Sequence, residues 1–86
     1  MTNYLYIIQS EKDASFYIGT TQNLDDRILR HNQGQSKYTK TKRPWKIVYY
    51  EEHPNRSSAM KKEYALKRRK SKDFIESIIE SFQKKA

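Results

Sequence analysis

The unbroken apolar run near the start of the chain constrains the fold more than any other feature. Residues 3–10, NYLYIIQS, are rich in β-branched and aromatic types, which suit a pleated strand. Because the run is continuous, it predicts a strand that is covered on both faces. A chain of 86 residues buries only about 60% of the surface that it exposes when unfolded. The sheet must therefore be small, and helices must cover it.

Further segments carry strand or helix patterns. Residues 11–14 form a polar turn, which makes the first two strands a β-hairpin. A helix begins after the capping residue Asn23 and ends before Gly34, whereas 35–43 is a basic polar loop. The remaining predicted elements are a strand at 15–20, a helix at 24–33, a strand at 45–52, a helix at about 57–69 and a last helix capped by Ser71. The sequence thus predicts one α/β (α+β) domain, residues 1–86, with a three-stranded antiparallel sheet flanked by three helices in the order β-β-α-β-α-α.

The charge balance favours a polyanionic partner. The chain has 18 Lys and Arg residues against 10 Asp and Glu, a formal net charge of +8, and such a field concentrates phosphates at the surface. Nucleic acid is the first candidate and an anionic membrane surface the second, and a basic protein with neither partner is the alternative. The chain has no cysteine and no apolar stretch near the roughly 20 residues of a membrane span. We therefore expect a cytoplasmic protein without a membrane partner.

Two predicted helices place charged residues where apolar residues are expected. In helix 24–33, Arg27 and His31 fall within the arc of the inward pair Leu24 and Ile28. They either face the sheet or reach out to its rim. In helix 57–69, Glu63 falls in the middle of an apolar stripe. A buried carboxylate is costly unless it is paired or binds a metal, so Glu63 is either an ion-pair residue or a ligand for Mg²⁺. The residues of that stripe are Ala59, Met60 and Leu66.

The hairpin supplies tyrosines beside a glycine. Alternation places Tyr4, Tyr6 and Ile8 on one face of the first strand, with Leu5 and Ile7 on the other. Tyr17 and Gly19 share a face of the second strand, and a glycine inside a strand often marks the close approach of a ligand or another backbone. Each tyrosine alone is explained by packing. The combination of two tyrosines with Arg27, His31 and Glu63 favours a functional site.

These residues resemble the motifs of the GIY-YIG endonucleases. The matching segments are YLY at 4–6, YIG at 17–19, DRI at 26–28 with HN at 31–32, and RSSAMKKE ending at Glu63. Nearly the whole chain resembles the small stand-alone members of this family, close to its excision-repair branch. The resemblance implies a metal-dependent endonuclease that hydrolyses phosphodiester bonds in DNA, in repair or recombination.

The resemblance also implies a role for each residue. Tyr6 is the general base or its partner and needs nearby cations to lower its pKa, while His31 relays the proton or holds the water. Arg27 clamps the phosphate and Tyr17 donates a hydrogen bond to it. Glu63 holds one divalent ion, Mg²⁺ or Mn²⁺, that stabilises the leaving oxygen.

Basic residues flank the expected site. Four of them lie in the loop 35–43, and Lys67 begins a second cluster at 67–70; both groups are expected to contact backbone phosphates or, alternatively, only solvent. The predicted nucleic-acid-binding residues are Gly19, Lys37, Lys40, Lys42, Arg43 and Lys67. A protein partner that supplies specificity is also expected.

Two positions differ from the family pattern and leave alternatives open. Tyr4 replaces the first glycine, and no asparagine follows Asn55, although many family nucleases use one after the glutamate. The first alternative is therefore a nucleic-acid-binding module with this fold and little or no turnover. The second is a regulatory domain whose basic face meets an acidic protein.

Overall fold

The computed structural model, which describes residues 2–69 and 71–85, contains a three-stranded antiparallel sheet with the first strand in the middle. In chain order the elements are β1 (Asn3–Ser10), β2 (Phe16–Thr21), α1 (Leu24–Asn32), α2 (Lys37–Lys40), β3 (Trp45–His53), α3 (Arg56–Arg69) and α4 (Lys72–Lys85). The predicted fold class and order of elements are confirmed. The addition is α2, a four-residue helix within the predicted basic loop.

β1 is buried on both faces, as its continuous apolar run predicts. Leu5 and Ile7 belong to one cluster with residues of α3 and α4, and Tyr6 and Ile8 belong to a second cluster on the other face of the sheet. The other buried members of the first cluster are Val48, Leu66, Ile75 and Ile79, and Trp45 completes the second. The alternation along β1 thus separates an apolar core under α3 and α4 from a more polar one under α1.

Helix α1 has the predicted caps and docks on the start of β3. The side chain of Asn23 accepts a hydrogen bond from the backbone N–H of Asp26 at 3.0 Å, and Gly34 follows the helix with a positive φ of 81°, a conformation that favours glycine. The side chain of Asn32 makes two hydrogen bonds to the backbone of Trp45. Its Oδ1 accepts from the Trp45 N–H at 2.6 Å, and its Nδ2 donates to the Trp45 carbonyl at 3.0 Å. These bonds fix the face of α1 that turns toward the sheet.

The prediction of which residues form the apolar stripe of α3 is partly wrong. Ala59 and Leu66 are buried, but Met60 is 46% exposed. At about 100° per residue, Met60 lies a quarter turn from Ala59, whereas Glu63 and Leu66 return close to the same face. α3 therefore presents a narrow stripe to the sheet, and Glu63 lies at the edge of that stripe, half-buried.

Side chains at the end of β3 hold the start of α3. The His53 ring contacts Glu51 Oε2 through Nε2 at 2.6 Å and Ser58 Oγ through Nδ1 at 2.7 Å. The Tyr49 hydroxyl donates to the other Glu51 oxygen at 2.5 Å. Because Ser58 is in the first turn of α3, this network fixes the position of the helix that carries Glu63.

The last helix begins at the predicted cap and packs on the sheet. The Ser71 hydroxyl accepts from the Phe74 backbone N–H at 3.2 Å, and Ile75 and Ile79 are buried against the sheet. None of the helices in the described ranges is both long and apolar enough to cross a bilayer.

Candidate functional site

The hydroxyl of Tyr6 is shared between two side chains of α1. Tyr6 is 2% exposed, and its Oη lies 3.0 Å from His31 Nε2. The Nε–H of Arg27 donates to the same oxygen at 3.2 Å. Because Arg27 and His31 are four residues apart on one helix, they reach the same point of the sheet. Both residues therefore face the sheet.

His31 is held from its other side by α2. Its Nδ1 lies 2.8 Å from Thr39 Oγ1, and both side chains are fully buried. The Trp45 indole N–H donates to the Thr39 carbonyl at 2.8 Å, which anchors α2 against the sheet. Sequence reasoning missed Thr39, because a short polar helix has no hydrophobic period and its position depends on residues distant in the chain.

The imidazole of His31 is neutral at physiological pH. Burial, together with the charge of Arg27, lowers the pKa of His31 to about 4. A neutral ring has one N–H and one acceptor nitrogen. Either Tyr6 donates to Nε2 while Nδ1–H donates to Thr39, or both hydrogen bonds run in the opposite direction. In the first arrangement, Nε2 is positioned to accept the Tyr6 proton.

Burial also keeps Tyr6 protonated. It raises the pKa of Tyr6, and the negative charges that Tyr17 and Glu63 carry when ionised act in the same direction, whereas the hydrogen bond and charge of Arg27 act against it. Desolvation of the phenolate is the largest effect, so the net shift is upward although the expected cation, Arg27, lowers the pKa of Tyr6. The bond to Tyr6 in turn raises the pKa of Arg27, which remains a cation.

Gly19 makes room for the Tyr6 ring. The two residues are opposite each other in the β1–β2 ladder, and a Cβ at position 19 would lie 2.6 Å from Tyr6 Oη and 2.8 Å from its Cζ. The close approach that this glycine permits is therefore made by Tyr6. Gly19 is buried under that ring, which explains the glycine without the predicted nucleic-acid contact.

Tyr17 extends the site toward the surface. Its ring centroid lies 6.4 Å from that of Tyr6 and 5.0 Å from that of His31. On its outer side the ring lies 5.7 Å from that of Tyr38, which is 58% exposed. Tyr38 is a second residue that sequence reasoning missed. The sequence feature that could have revealed it is an aromatic residue within a run of basic residues, a pattern common where nucleic-acid bases stack.

Glu63 reaches the same site from α3. Its carboxylate oxygen Oε2 accepts from Lys67 Nζ at 2.7 Å, and the side chain is 21% exposed. Lys67 Nζ lies 5.9 Å from the centroid of the Tyr17 ring, and the Glu63 charge acts on the pKa of Tyr6. Elements far apart in sequence thus bring together the five residues of the predicted catalytic set: Tyr6, Tyr17, Arg27, His31 and Glu63.

A metal ion at this site would have few protein ligands. The described ranges hold no group of three or more His, Cys, Asp or Glu side chains that could bind a metal. Glu63 supplies one hard, partly exposed oxygen donor, and Mg²⁺ is commonly held by one or two carboxylates with waters and phosphate oxygens. The donor fits such an ion, provided that Lys67 leaves the carboxylate.

The basic residues of segment 35–43 are of two kinds, some exposed to solvent and others bound to neighbouring groups of the protein. Lys37 and Lys40 are exposed. Lys42 Nζ donates to Ser15 Oγ at 3.2 Å and lies 3.7 Å from Asp13, and Arg43 Nε donates to the Lys40 carbonyl at 2.8 Å. Lys42 and Arg43 therefore help to hold α2 in place. Of the second cluster, position 70 lies outside the described residues.

Replacing Gly19 with alanine is expected to disturb Tyr6 and the fold together. The added methyl group must displace the Tyr6 ring, so we expect the free energy of unfolding to fall by about 1–3 kcal/mol. Chemical denaturation measures this change, with Thr20→Ala on the same strand as the control. A loss no larger than that of the control would contradict the contact between Gly19 and Tyr6.

Buried His31 predicts a loss of stability in acid. Its pKa is about 4 when folded, against 6.5 as the ordinary value, so the unfolded chain binds the proton more readily between these values. His31 alone should therefore lower the free energy of unfolding by up to about 3 kcal/mol as the pH falls from 7 to 4. Chemical denaturation at several pH values in this range should show that the free energy of unfolding depends less steeply on pH in His31→Gln than in the parent protein. An unchanged slope would mean that His31 is not buried in its neutral form.

Comparison with known proteins agrees with this fold and these motifs. A sequence model described as the GIY-YIG catalytic domain matches residues 2–77. The UPF0213 protein SSP2268 of Staphylococcus saprophyticus is 44% identical over 66 residues, which cover 76% of this chain and 79% of the relative. The UPF0213 protein CPE1444 of Clostridium perfringens is 45% identical over 67 residues, or 77% and 71% of the two chains.

A solved structure is also similar. The solution NMR structure of the UPF0213 protein BH0048 of Bacillus halodurans has 33% sequence identity and a TM-score of 0.58, covering 93% of this chain and 84% of that one. The family match spans most of the chain, and the relatives are well above the identity at which a common fold is expected. The chain therefore belongs to the GIY-YIG family of nuclease-type domains.

Proposed function

We propose that this protein is a metal-dependent endonuclease that hydrolyses phosphodiester bonds in DNA. The observation that carries the proposal is the Tyr6 hydroxyl, which is bonded to both Arg27 and His31 and lies within the field of Glu63. A nuclease needs a proton acceptor for water, a cation for the phosphate and help for the leaving oxygen. These side chains supply the first two, and Glu63 supplies a ligand for the third.

In this proposal Tyr6 and His31 act as one base. Tyr6 takes a proton from the attacking water while its own proton passes to His31 Nε2, which lies 3.0 Å away. Thr39 holds the opposite side of the ring and keeps Nε2 aimed at Tyr6. Burial is the larger cause of the lowered pKa of His31 and the Arg27 charge is the smaller one; a bound phosphate offsets the Arg27 charge. Substrate binding therefore makes His31 a better proton acceptor.

Arg27 and Tyr17 are the proposed phosphate contacts. The guanidinium has five N–H donors; its Nε–H is used by Tyr6 and Tyr17 is a second hydrogen-bonding neighbour, so its remaining donors suit a phosphate. Tyr17 lies between the buried Tyr6 and the exposed Tyr38, where its hydroxyl suits a phosphate oxygen at the surface. Removal of Arg27 should weaken both substrate binding and stabilisation of the transition-state charge.

Glu63 is the proposed ligand of one Mg²⁺ or Mn²⁺ ion. Such an ion, when bound, neutralises negative charge at the leaving oxygen. Water and phosphate oxygens would complete its shell, because the described residues form no group of three or more metal-ligating side chains and Glu63 is the carboxylate whose charge acts on Tyr6. The assignment to DNA, to repair or recombination, and to the cytoplasm rests on the basic charge, the family resemblance and the lack of cysteine.

The second candidate is a nucleic-acid-binding module with little turnover. Two observations favour it. The Glu63 carboxylate is already paired with Lys67, and the raised pKa of Tyr6 keeps its hydroxyl protonated. In this candidate the exposed cations Lys37 and Lys40 bind backbone phosphates, and Glu63 is a structural ion-pair residue. A protein partner that supplies specificity is compatible with either candidate.

Glu63→Gln distinguishes the two candidates. If Glu63 binds the metal, the substitution should lower metal-dependent cleavage by at least about 100-fold, because an amide lacks the charge that a hard cation needs. The folded state should be nearly unchanged in stability, since the pair with Lys67 is partly exposed. Cleavage of linear and branched DNA with Mg²⁺, Mn²⁺ or a chelator measures the effect.

The matched control is Glu80→Gln, which breaks the similar i,i+4 pair of Glu80 with Lys84 on α4. It should leave cleavage unchanged. If the parent protein cleaves no DNA with any metal and Glu63→Gln clearly lowers the melting temperature, the binding module replaces the nuclease.

The exposed cations of α2 should set part of the salt dependence of binding. Each phosphate contact that is lost should reduce the slope of log affinity against log salt by about 1. We therefore expect Lys37→Ala with Lys40→Ala to flatten the slope for duplex DNA by about 2. The control with equal loss of charge is Lys72→Ala with Lys84→Ala on α4, across the sheet from α1. Equal slopes for the two double variants would place the DNA elsewhere.

A further inference from the structure

Lys67 lies on the carboxylate that the proposed metal would use. Its Nζ is 2.7 Å from Glu63 Oε2 and 5.9 Å from the centroid of the Tyr17 ring. The ammonium group thus lies between the carboxylate and the outer part of the site. The Lys67 ammonium group therefore already occupies the carboxylate to which, in the proposed function, the divalent ion binds.

This ion pair differs in burial from the other pairs of the same spacing. The Glu63 side chain is 21% exposed, whereas the paired carboxylates of Asp26, Glu76 and Glu80 are 51%, 52% and 70% exposed. Reduced solvent strengthens the interaction of Glu63 with any cation. Lys67 itself is half exposed, so its long side chain can leave without opening the core.

We propose that Lys67 is the resting counter-cation of Glu63, that it competes with the divalent ion for this carboxylate, and that it moves onto the substrate phosphate when the ion binds. The proposal rests on the proposed function, because it assumes that Glu63 is the metal ligand. It adds a charge exchange: one cation leaves the carboxylate as another arrives. Lys67 then acts on the metal as a positioning residue, through Glu63, and contacts the substrate phosphate directly.

The structure offers the released ammonium group a place beside the substrate. Lys67 and Tyr17 line an open groove, whose other lining residues are Phe16, Ile18 and Tyr38. The positive charge already lies near the face of the Tyr17 ring, a favourable position for a cation. A phosphate bound by Arg27 and Tyr17 would lie within the reach of this side chain, so the same residue that weakens metal binding would strengthen phosphate binding.

The test measures Mn²⁺ binding without nucleic acid, by the electron paramagnetic resonance signal of the free ion. Lys67→Met keeps the aliphatic stem and removes the charge. We expect it to bind Mn²⁺ about three- to tenfold more tightly than the parent protein, since a competing cation a few ångströms away is lost. Lys67→Arg, which keeps the charge, should bind close to the parent value, and Lys84→Met, on α4, is the control for a general loss of charge.

A second readout tests the other half of the exchange. With Mn²⁺ saturating, Lys67→Met should bind a DNA duplex at least about threefold more weakly than Lys84→Met, because a phosphate contact is lost. If Lys67→Met binds Mn²⁺ no more tightly than the parent protein while Glu63→Gln loses Mn²⁺ binding, the competition is overturned and the metal role of Glu63 stands. If Glu63→Gln binds Mn²⁺ like the parent protein, the metal role of Glu63 fails, and the exchange fails with it.

Discussion

The buried hydroxyl of Tyr6 is the group on which the rest of the site depends. A hydroxyl removed from water must find hydrogen-bond partners inside the protein, and here α1 provides both, through Arg27 and His31. The ring fits only because the opposite residue of β2 is Gly19. Docking of α1 onto the sheet and assembly of the site are therefore the same event. A change that moves the Tyr6 ring alters the packing of α1 as well.

Burial sets the resting charge state of the site. It raises the pKa of Tyr6 and lowers that of His31 to about 4, so that both are neutral while Arg27 is a cation. Neutral partners stabilise the folded protein, because neither leaves an uncompensated charge in the interior. They are also poor bases until something changes the local field. In the proposed mechanism the phosphate makes part of that change: its negative charge offsets Arg27, the second cause of the low His31 pKa after burial, so bound substrate favours proton transfer.

The sequence was informative where a local pattern decides the structure. The apolar run of β1, the Asn23 cap and the inward position of Arg27 and His31 follow from periodicity and capping, and the structure has all of them. Thr39 could not be predicted, because α2 is held by Trp45 and His31 rather than by its own residues. The sequence indicated a cation beside Tyr6, and Arg27 does lower its pKa, but the larger opposing effect of burial could not be predicted, since motif order reveals neighbouring charges and not the depth of burial.

The chemistry of one carboxylate connects metal binding to nucleic-acid binding. In the proposed mechanism Glu63 holds a divalent ion whose remaining ligands are waters and phosphate oxygens, so metal and substrate each increase the affinity for the other by the same factor. The pairing of Lys67 with Glu63 strengthens this linkage. Without substrate, Lys67 opposes the metal; with substrate, the phosphate attracts both cations and removes the competition. A small, strongly basic domain that binds many phosphates weakly would in this way assemble its metal site only where a backbone phosphate already lies against Arg27.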